Sequence, residues 1–223
     1  TYYSLPKHMA VHRESSDWCR MLGCSTVAEL NTLIEKGGIR ELIRVNEALH
    51  DKTLSEIAQD IVNRDARAVF IAGPSSSGKT TFANRLAIHL RVNRLRPMII
   101  SLDDFYIDRD DLPLEADGKP DLEALSALDV DLFRECLGQL LRGEEAQMPR
   151  FSFQTKRREE RYVPTRVAPD QPLIIEGIHA LNPALHEGFE RRLTCLIYIS
   201  QLTSVNLYNH NRIRTTDARL LRR

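Results

Sequence analysis

The apolar run Ala68-Val69-Phe70-Ile71-Ala72 leads without a break into Gly73-Pro74-Ser75-Ser76-Ser77-Gly78-Lys79-Thr80, and a helical pattern follows. No other stretch constrains the fold as tightly. A strand with no polar alternation needs cover on both faces, and a sharp turn from it into a helix makes a strand–loop–helix unit of a parallel sheet. Gly73 and Gly78 let the backbone curl so that successive N–H groups converge on one anion, and the helix from Lys79 aims its N-terminal dipole at the same point. The spacing GxxxxGK[ST] is that of a phosphate-binding loop. Gly73, Pro74, Ser75, Ser76, Ser77, Gly78, Lys79, Thr80 and Thr81 are thus the expected cradle of a nucleoside triphosphate. Lys79 is expected to reach the β- and γ-phosphates, and the Thr80 hydroxyl to sit on Mg²⁺.

Three further apolar runs read as strands: Pro97 to Leu102, Leu173 to Ile175, and Cys195 to Ile199. Their lack of alternation predicts burial on both faces, so the expected fold class is α/β, a parallel sheet covered by helices with a small helical element before it. The first run ends in Asp103-Asp104 and the second in Glu176-Gly177. Ligands of such sheets lie beyond the carboxyl ends of the strands, which predicts that these acids stand beside the phosphate loop. One acid can take a proton from an acceptor hydroxyl while another holds Mg²⁺, although Asp103 or Asp104 could also simply cap the next turn. Asp129 is placed to cap a helix with the apolar face Leu132, Phe133, Cys136, Leu137, Leu140 and Leu141, stopped at Gly143.

Residues 1–65 form the expected helical lead-in, and residues 66–223 the phosphate-loop domain. Residues 1–14 show no clear period. Thr26 with Glu29 has the form of a capping box, Gly37-Gly38 is a stop, and a helix is expected from Ile39 to about Leu49. Thr53 with Glu56 repeats the box, ahead of a stripe of Leu54, Ile57, Ala58, Ile61 and Val62. The chain starts at Thr1 and stops at Arg222-Arg223 within a helical pattern, so a piece of a longer protein is expected.

Charge narrows the partners. Lys+Arg and Asp+Glu number 31 each, so nothing in the whole-chain charge favours a nucleic acid or an anionic membrane. No apolar stretch reaches the ~18 residues of a membrane span, and no signal peptide precedes the helices, so a cytoplasmic protein is expected. Cys19, Cys24, Cys136 and Cys195 show no metal-ligand spacing and read as free thiols. The balance conceals two regions: residues 101–131 carry eleven acids against Arg109 and Lys119, while Arg212, Arg214, Arg219, Arg222 and Arg223 face only Asp217. The arginine-rich end reads as a lid over the transferring phosphate.

Three motifs in order carry a family resemblance. Ser101-Leu102-Asp103-Asp104-Phe105-Tyr106, Leu173-Ile174-Ile175-Glu176-Gly177-Ile178 and Asp217-Ala218-Arg219-Leu220-Leu221-Arg222-Arg223 are similar to the Asp-Ser-Phe-Tyr, Phe-Glu-Gly-Ile and Asp-Thr-Arg-Leu-x-Arg-Arg segments of the uridine kinase and phosphoribulokinase family of P-loop kinases. The helices before Ala68 resemble a longer bacterial subgroup with a threonyl-tRNA-synthetase-like N-terminal region. The resemblance implies ATP and Mg²⁺ as cofactors and a small hydroxyl-bearing acceptor. It implies Asp103 as the general base beside Lys79, Glu176 at the metal with Thr80 and Asp103, and Arg219, Arg222 and Arg223 on the nucleotide. Tyr106 and Glu123 are implied on the acceptor side, with Asp121 second to Glu123.

One segment departs from that pattern. Where the family has Tyr-Asp-Phe-x-x-His, with Tyr and His reading a pyrimidine edge, this chain has Phe151 and Lys156. Phe151 can stack on a ring but has no hydroxyl, and Lys156 offers only donors where imidazole also accepts. The expected activity is phosphorylation of a nucleoside 5′-hydroxyl, uridine or cytidine by default. Two alternatives stand beside it: a kinase of a phosphorylated sugar, given Lys156, Arg157, Arg158 and Arg161, and a nucleotide-binding regulatory module. For the four basic residues a solvated hairpin is the competing expectation.

Overall fold

All five residues of the first apolar run are buried in a strand, as their lack of alternation requires. A computed structural model describes residues 6–112, 121, 123–200, 205–208 and 211–213. Helices α1 (Pro6–Met21), α2 (Val27–Glu35) and α3 (Ile39–Asn63) precede β1 (Ala68–Ala72), α4 (Lys79–Val92) and β2 (Met98–Ser101). Short helical turns lead to α5 (Val130–Leu141) and the small strands β3 (Ala146–Met148), β4 (Phe151–Ser152), β5 (Arg157–Arg158) and β6 (Val163–Thr165). Then come β7 (Leu173–Glu176), α6 (Pro183–His186), β8 (Thr194–Tyr198), β9 (Asn206–Tyr208) and β10 (Asn211–Arg212). Two compact units result: Leu54–Ile199, and a unit drawn from residues up to Thr53 and from Ser200 onward.

The unit Leu54–Ile199 is built on a parallel sheet in the order β2-β7-β1-β8, with Ala68 registered on Leu173 and on Thr194. Successive β1 side chains point to opposite faces. Val69 and Ile71 join Phe82, Leu86 and Leu90 of α4 and Leu54, Ala58 and Ile61 of α3 in one core. Phe70 joins Phe133, Leu137 and Leu140 of α5 in the other. Each Val, Leu, Ile or Phe among them removed from water contributes about 1.5–3 kcal/mol, which is why helices cover both faces. The α/β class expected from the sequence is the class observed. The end of α3, from Leu54, belongs to this unit because its buried stripe packs into the β1 core.

Four local expectations need correction. α3 runs unbroken through Thr53, whose hydroxyl donates back to the Leu49 carbonyl at 3.0 Å instead of capping a new helix. Helix α1 begins at Pro6, inside the stretch without clear period, because its apolar residues Met9 and Val11 stay exposed and form no buried stripe. β8 is not buried on both faces: Leu196 and Tyr198 are 51% and 62% exposed, and among the described residues only β1 pairs with it. The hairpin basic residues are not all solvated, since Arg158 is largely buried.

In the other unit, Thr26 and Glu29 form the expected capping box on α2. α1 closes in a Schellman turn, with Gly23 left-handed at φ +64° and the Cys24 N–H on the Cys19 carbonyl at 3.0 Å. Trp18 Nε1 donates to Asn46 Oδ1 at 3.0 Å, and the Asn206 N–H donates to the Ser25 carbonyl at 2.8 Å. All four cysteines are free. No helix among the described residues is long and apolar enough to cross a membrane.

Candidate functional site

The phosphate loop is built by backbone that few residues tolerate. Gly78 caps α4 at φ +92° and Ser76 sits at φ +60°. A Cβ on Gly73 would lie 2.3 Å from the Ile199 carbonyl oxygen and 2.8 Å from Ser77 Oγ, so only glycine fits between the loop and the end of β8. No side chain caps α4, and its first N–H groups have no intrahelical partner by construction. Ser77 Oγ is buried without a hydrogen-bond partner. Lys79 Nζ donates to the Pro74 carbonyl at 3.2 Å, holding the ammonium over the loop. An uncapped helix start, an orphaned hydroxyl and a cation over one curled loop fit a phosphate group.

The parallel register brings the two acidic strand ends together. Ser101 of β2 is registered on Glu176 of β7, and Ser101 Oγ donates to Glu176 Oε1 at 3.0 Å. The same hydroxyl accepts from the Asp103 N–H at 3.3 Å. Glu176 is only 6% exposed. Asp103 is open to the cavity, yet the surrounding wall strips enough water to raise its pKa, and Glu176 raises it further while Lys79 opposes both. Tyr106 is pushed up to about 12 by burial and then by Asp103, Glu123 and Asp121. It therefore stays protonated, a neutral donor.

A cavity of about 530 Å³ joins these groups. Of the residues expected from the sequence it is lined by Ser75, Ser76, Lys79, Thr80, Asp103, Tyr106, Glu123, Phe151, Lys156 and Glu176. Thr81 is exposed outside it, and the Asp121 carboxylate instead accepts the Glu123 N–H at 2.8 Å. Asp104 also turns away from chemistry: it accepts the Phe151 N–H at 3.4 Å. Arg214, Arg219, Arg222 and Arg223 lie outside the described residues.

Ile107, Leu112, Phe153 and Ile178 complete the lining and were not singled out from the sequence. Phe153 had a signal, since it stands two positions from Phe151, and alternate residues of an extended segment share a face. Tyr106, Phe151 and Phe153 form one aromatic group, with Phe151 and Phe153 edge to face at 5.2 Å and Tyr106 5.7 Å from Phe151. Such rings suit a flat unsaturated ligand.

Oxygen donors from Thr80, Asp103 and Glu176 line the same space as the loop, a set that suits Mg²⁺. Among the described residues, no three or more His, Cys, Asp or Glu side chains are grouped so that they could hold a metal ion by themselves. Mg²⁺ characteristically takes one or two carboxylates with substrate phosphates and water, so the donor set and the ion agree.

Among curated proteins, the uridine kinase of Vibrio campbellii is 34% identical over 128 residues, 56% of this chain and 59% of that protein. The uridine kinase of Lactobacillus helveticus is 34% identical over 129 residues, 58% of each. The chain thus spans less than two thirds of the length of these relatives. A solved Bacillus stearothermophilus structure, described as a possible uridine kinase, superposes with TM-score 0.49 at 20% identity, over 60% of this chain and 70% of that one. The pattern of the phosphoribulokinase/uridine kinase family matches residues 68–213, from the first residue of β1 onward, and the chain belongs to that family.

Proposed function

We propose that this protein transfers the γ-phosphoryl group of ATP to a hydroxyl of a small acceptor, most readily the 5′-hydroxyl of a nucleoside such as uridine or cytidine. The single observation that carries the reading is the cavity, which joins the phosphate loop, the Asp103 and Glu176 carboxylates and an aromatic wall in one space. The triphosphate lies on the loop, with Lys79 and the first turn of α4 neutralising its charge. The acceptor ring packs on Tyr106, Phe151 and Phe153, and Glu123 takes hydrogen bonds from its sugar hydroxyls. Asp103 receives the hydroxyl proton as the acceptor oxygen bonds to the γ-phosphorus and the bond to the β,γ-bridging oxygen breaks, leaving ADP. A raised pKa on Asp103 brings its basicity closer to that needed at neutral pH. Thr80, Glu176 and Asp103 would hold Mg²⁺, which would supply charge neutralisation on the phosphates.

The curated relatives carry the name uridine kinase, which supports a nucleoside as acceptor. Lys156 in the lining adds a positive group, so sugar phosphates belong among the acceptors tested. Incubating the intact protein with ATP, Mg²⁺ and a panel of nucleosides and sugar phosphates, followed by mass spectrometry, tests the reading. A phosphorylated nucleoside is expected. Product from none of the acceptors would favour a regulatory nucleotide-binding module instead.

A further inference from the structure

The hairpin of β4 and β5 carries Phe151, Phe153 and Lys156, and the turn after β2 carries Asp103 and Tyr106. The two segments are far apart in sequence and are fastened by acids on one and basic or backbone groups on the other. The Phe151 N–H donates to Asp104 Oδ1 at 3.4 Å and the Arg158 N–H to Asp108 Oδ1 at 2.7 Å. Arg157 pairs with Asp110 at 2.8 Å, but both side chains are well exposed, and exposed pairs hold little.

Arg158 is different. Its side chain is only 18% exposed. Nη1 donates to Asp129 Oδ2 at 3.1 Å, while Nη2 donates to the Tyr106 carbonyl at 3.2 Å and the Phe105 carbonyl at 3.5 Å. Asp129 uses its other oxygen to cap α5 through the Leu132 N–H at 3.1 Å, and its own N–H donates to the Phe105 carbonyl at 2.9 Å. One planar guanidinium therefore joins the hairpin, the acid-bearing turn and the start of α5. A lysine ammonium lacks the rigid fork needed to span a carboxylate and two carbonyls at once. Arg158 does not line the cavity, so it can act there only through what it holds.

We infer that Arg158 is a positioning residue that keeps the aromatic acceptor wall in register with Asp103. The inference rests on the reading of the cavity as an acceptor site. It assigns Asp104, Asp108 and Asp129 to anchoring the hairpin, and separates them from the proton-transfer chemistry.

The test is steady-state kinetics on the intact protein carrying Arg158→Ala, and separately Asp129→Asn, with the nucleoside that the acceptor panel selects. Asparagine caps a helix as well as aspartate, so the second variant removes the charge and keeps α5. In both, acceptor KM is expected to rise about 10–100-fold, the size of effect expected from a small misplacement of reacting groups, with kcat falling less. ATP affinity by calorimetry should stay within about twofold, because the phosphate loop stands on other elements. Free guanidinium should restore part of the acceptor kcat/KM of Arg158→Ala, and Arg158→Lys should not match wild type. The inference is overturned if ATP affinity and acceptor KM worsen together, or if acceptor kcat/KM stays within about threefold of wild type in both variants. If wild type turns over no acceptor at all, the acceptor-site reading falls and this inference falls with it.

Discussion

Ser101 Oγ donates to Glu176 Oε1 at 3.0 Å, and the same oxygen accepts the Asp103 N–H at 3.3 Å, so one hydroxyl sets the positions of both acids in the cavity. A hydrogen bond to a charged group is worth about 1.5–3 kcal/mol net. Ser101→Ala should lower the unfolding free energy by about 1–2 kcal/mol and reduce turnover by about tenfold, since Glu176 loses the donor that orients it. Chemical denaturation with parallel rate measurements checks this; a variant of unchanged stability and rate would remove the shared-hydroxyl account.

Asp103→Asn removes the group assigned to accept the proton. Turnover is expected to fall by about 10²–10⁴ while ATP still binds. Full activity in that variant would reject the assignment.

The raised pKa of Asp103 also makes a statement about stability. The folded protein holds this proton more tightly than the unfolded chain does. The contribution to stability is therefore complete below the unfolded value of ~3.9 and is lost as pH rises through the higher folded value. At neutral pH the carboxylate is a cost, and Asp103→Asn should melt at a higher temperature than wild type. Near pH 3, below both values, that advantage should vanish. A variant that melts lower than wild type at neutral pH would contradict the crowding of Asp103 by Glu176 and the cavity wall.

Lys79→Ala should weaken triphosphate binding by about 10–100-fold, the worth of a charge-assisted hydrogen bond or two. The fold should survive, because the Lys79 ammonium stands over the loop, bonded to the Pro74 carbonyl, and not in either hydrophobic core. Calorimetric titration with ATP gives the answer directly, and unchanged affinity would separate the loop from phosphate binding.

Gly177 follows Glu176 at a point where a Cβ would come within 2.7 Å of Leu102 Cβ. Neither neighbour can yield, since Leu102 is buried and the Gly177 N–H bonds the Ile71 carbonyl at 3.1 Å. Gly177→Ala should cost about 1–3 kcal/mol of stability by overpacking, and should disturb Glu176 more than the phosphate loop. A thermal melt equal to wild type would show that the contact has room to relax.

What could be read in the sequence was what depends on near neighbours. The strand–loop–helix around Gly73–Thr80, the acids closing two strands, the Thr26 capping box and the Asp129 cap with its Gly143 stop are each set within a few residues. Thr53 misled because a threonine bonding back to a carbonyl looks, in a string of letters, like a threonine that caps. The fastening of Arg158 was out of reach for another reason. Its partners Asp129 and Tyr106 stand 29 and 52 residues away, and an exposed-looking run of basic residues gives no sign that one of them turns inward. Ser101 lay beside the singled-out acids, but only the register of β2 on β7 shows which carboxylate its hydroxyl meets.

The strand order β2-β7-β1-β8 has a consequence for the time at which the site comes into being. β7 wedges between two strands made well before it, and the Ser101–Glu176 bond closes a span of 75 residues. As the chain leaves the ribosome, the phosphate loop and its helix are complete while β1 and β2 still lack the partner that separates them. Long-range parallel pairing is slow, because loop closure must precede its reward. Nucleotide-holding backbone can therefore form early, whereas the paired acids arrive only with β7. Pulse-labelled hydrogen exchange during refolding should find the amides of α4 protected before that of Gly177, and the reverse order would place β7 in the nucleus.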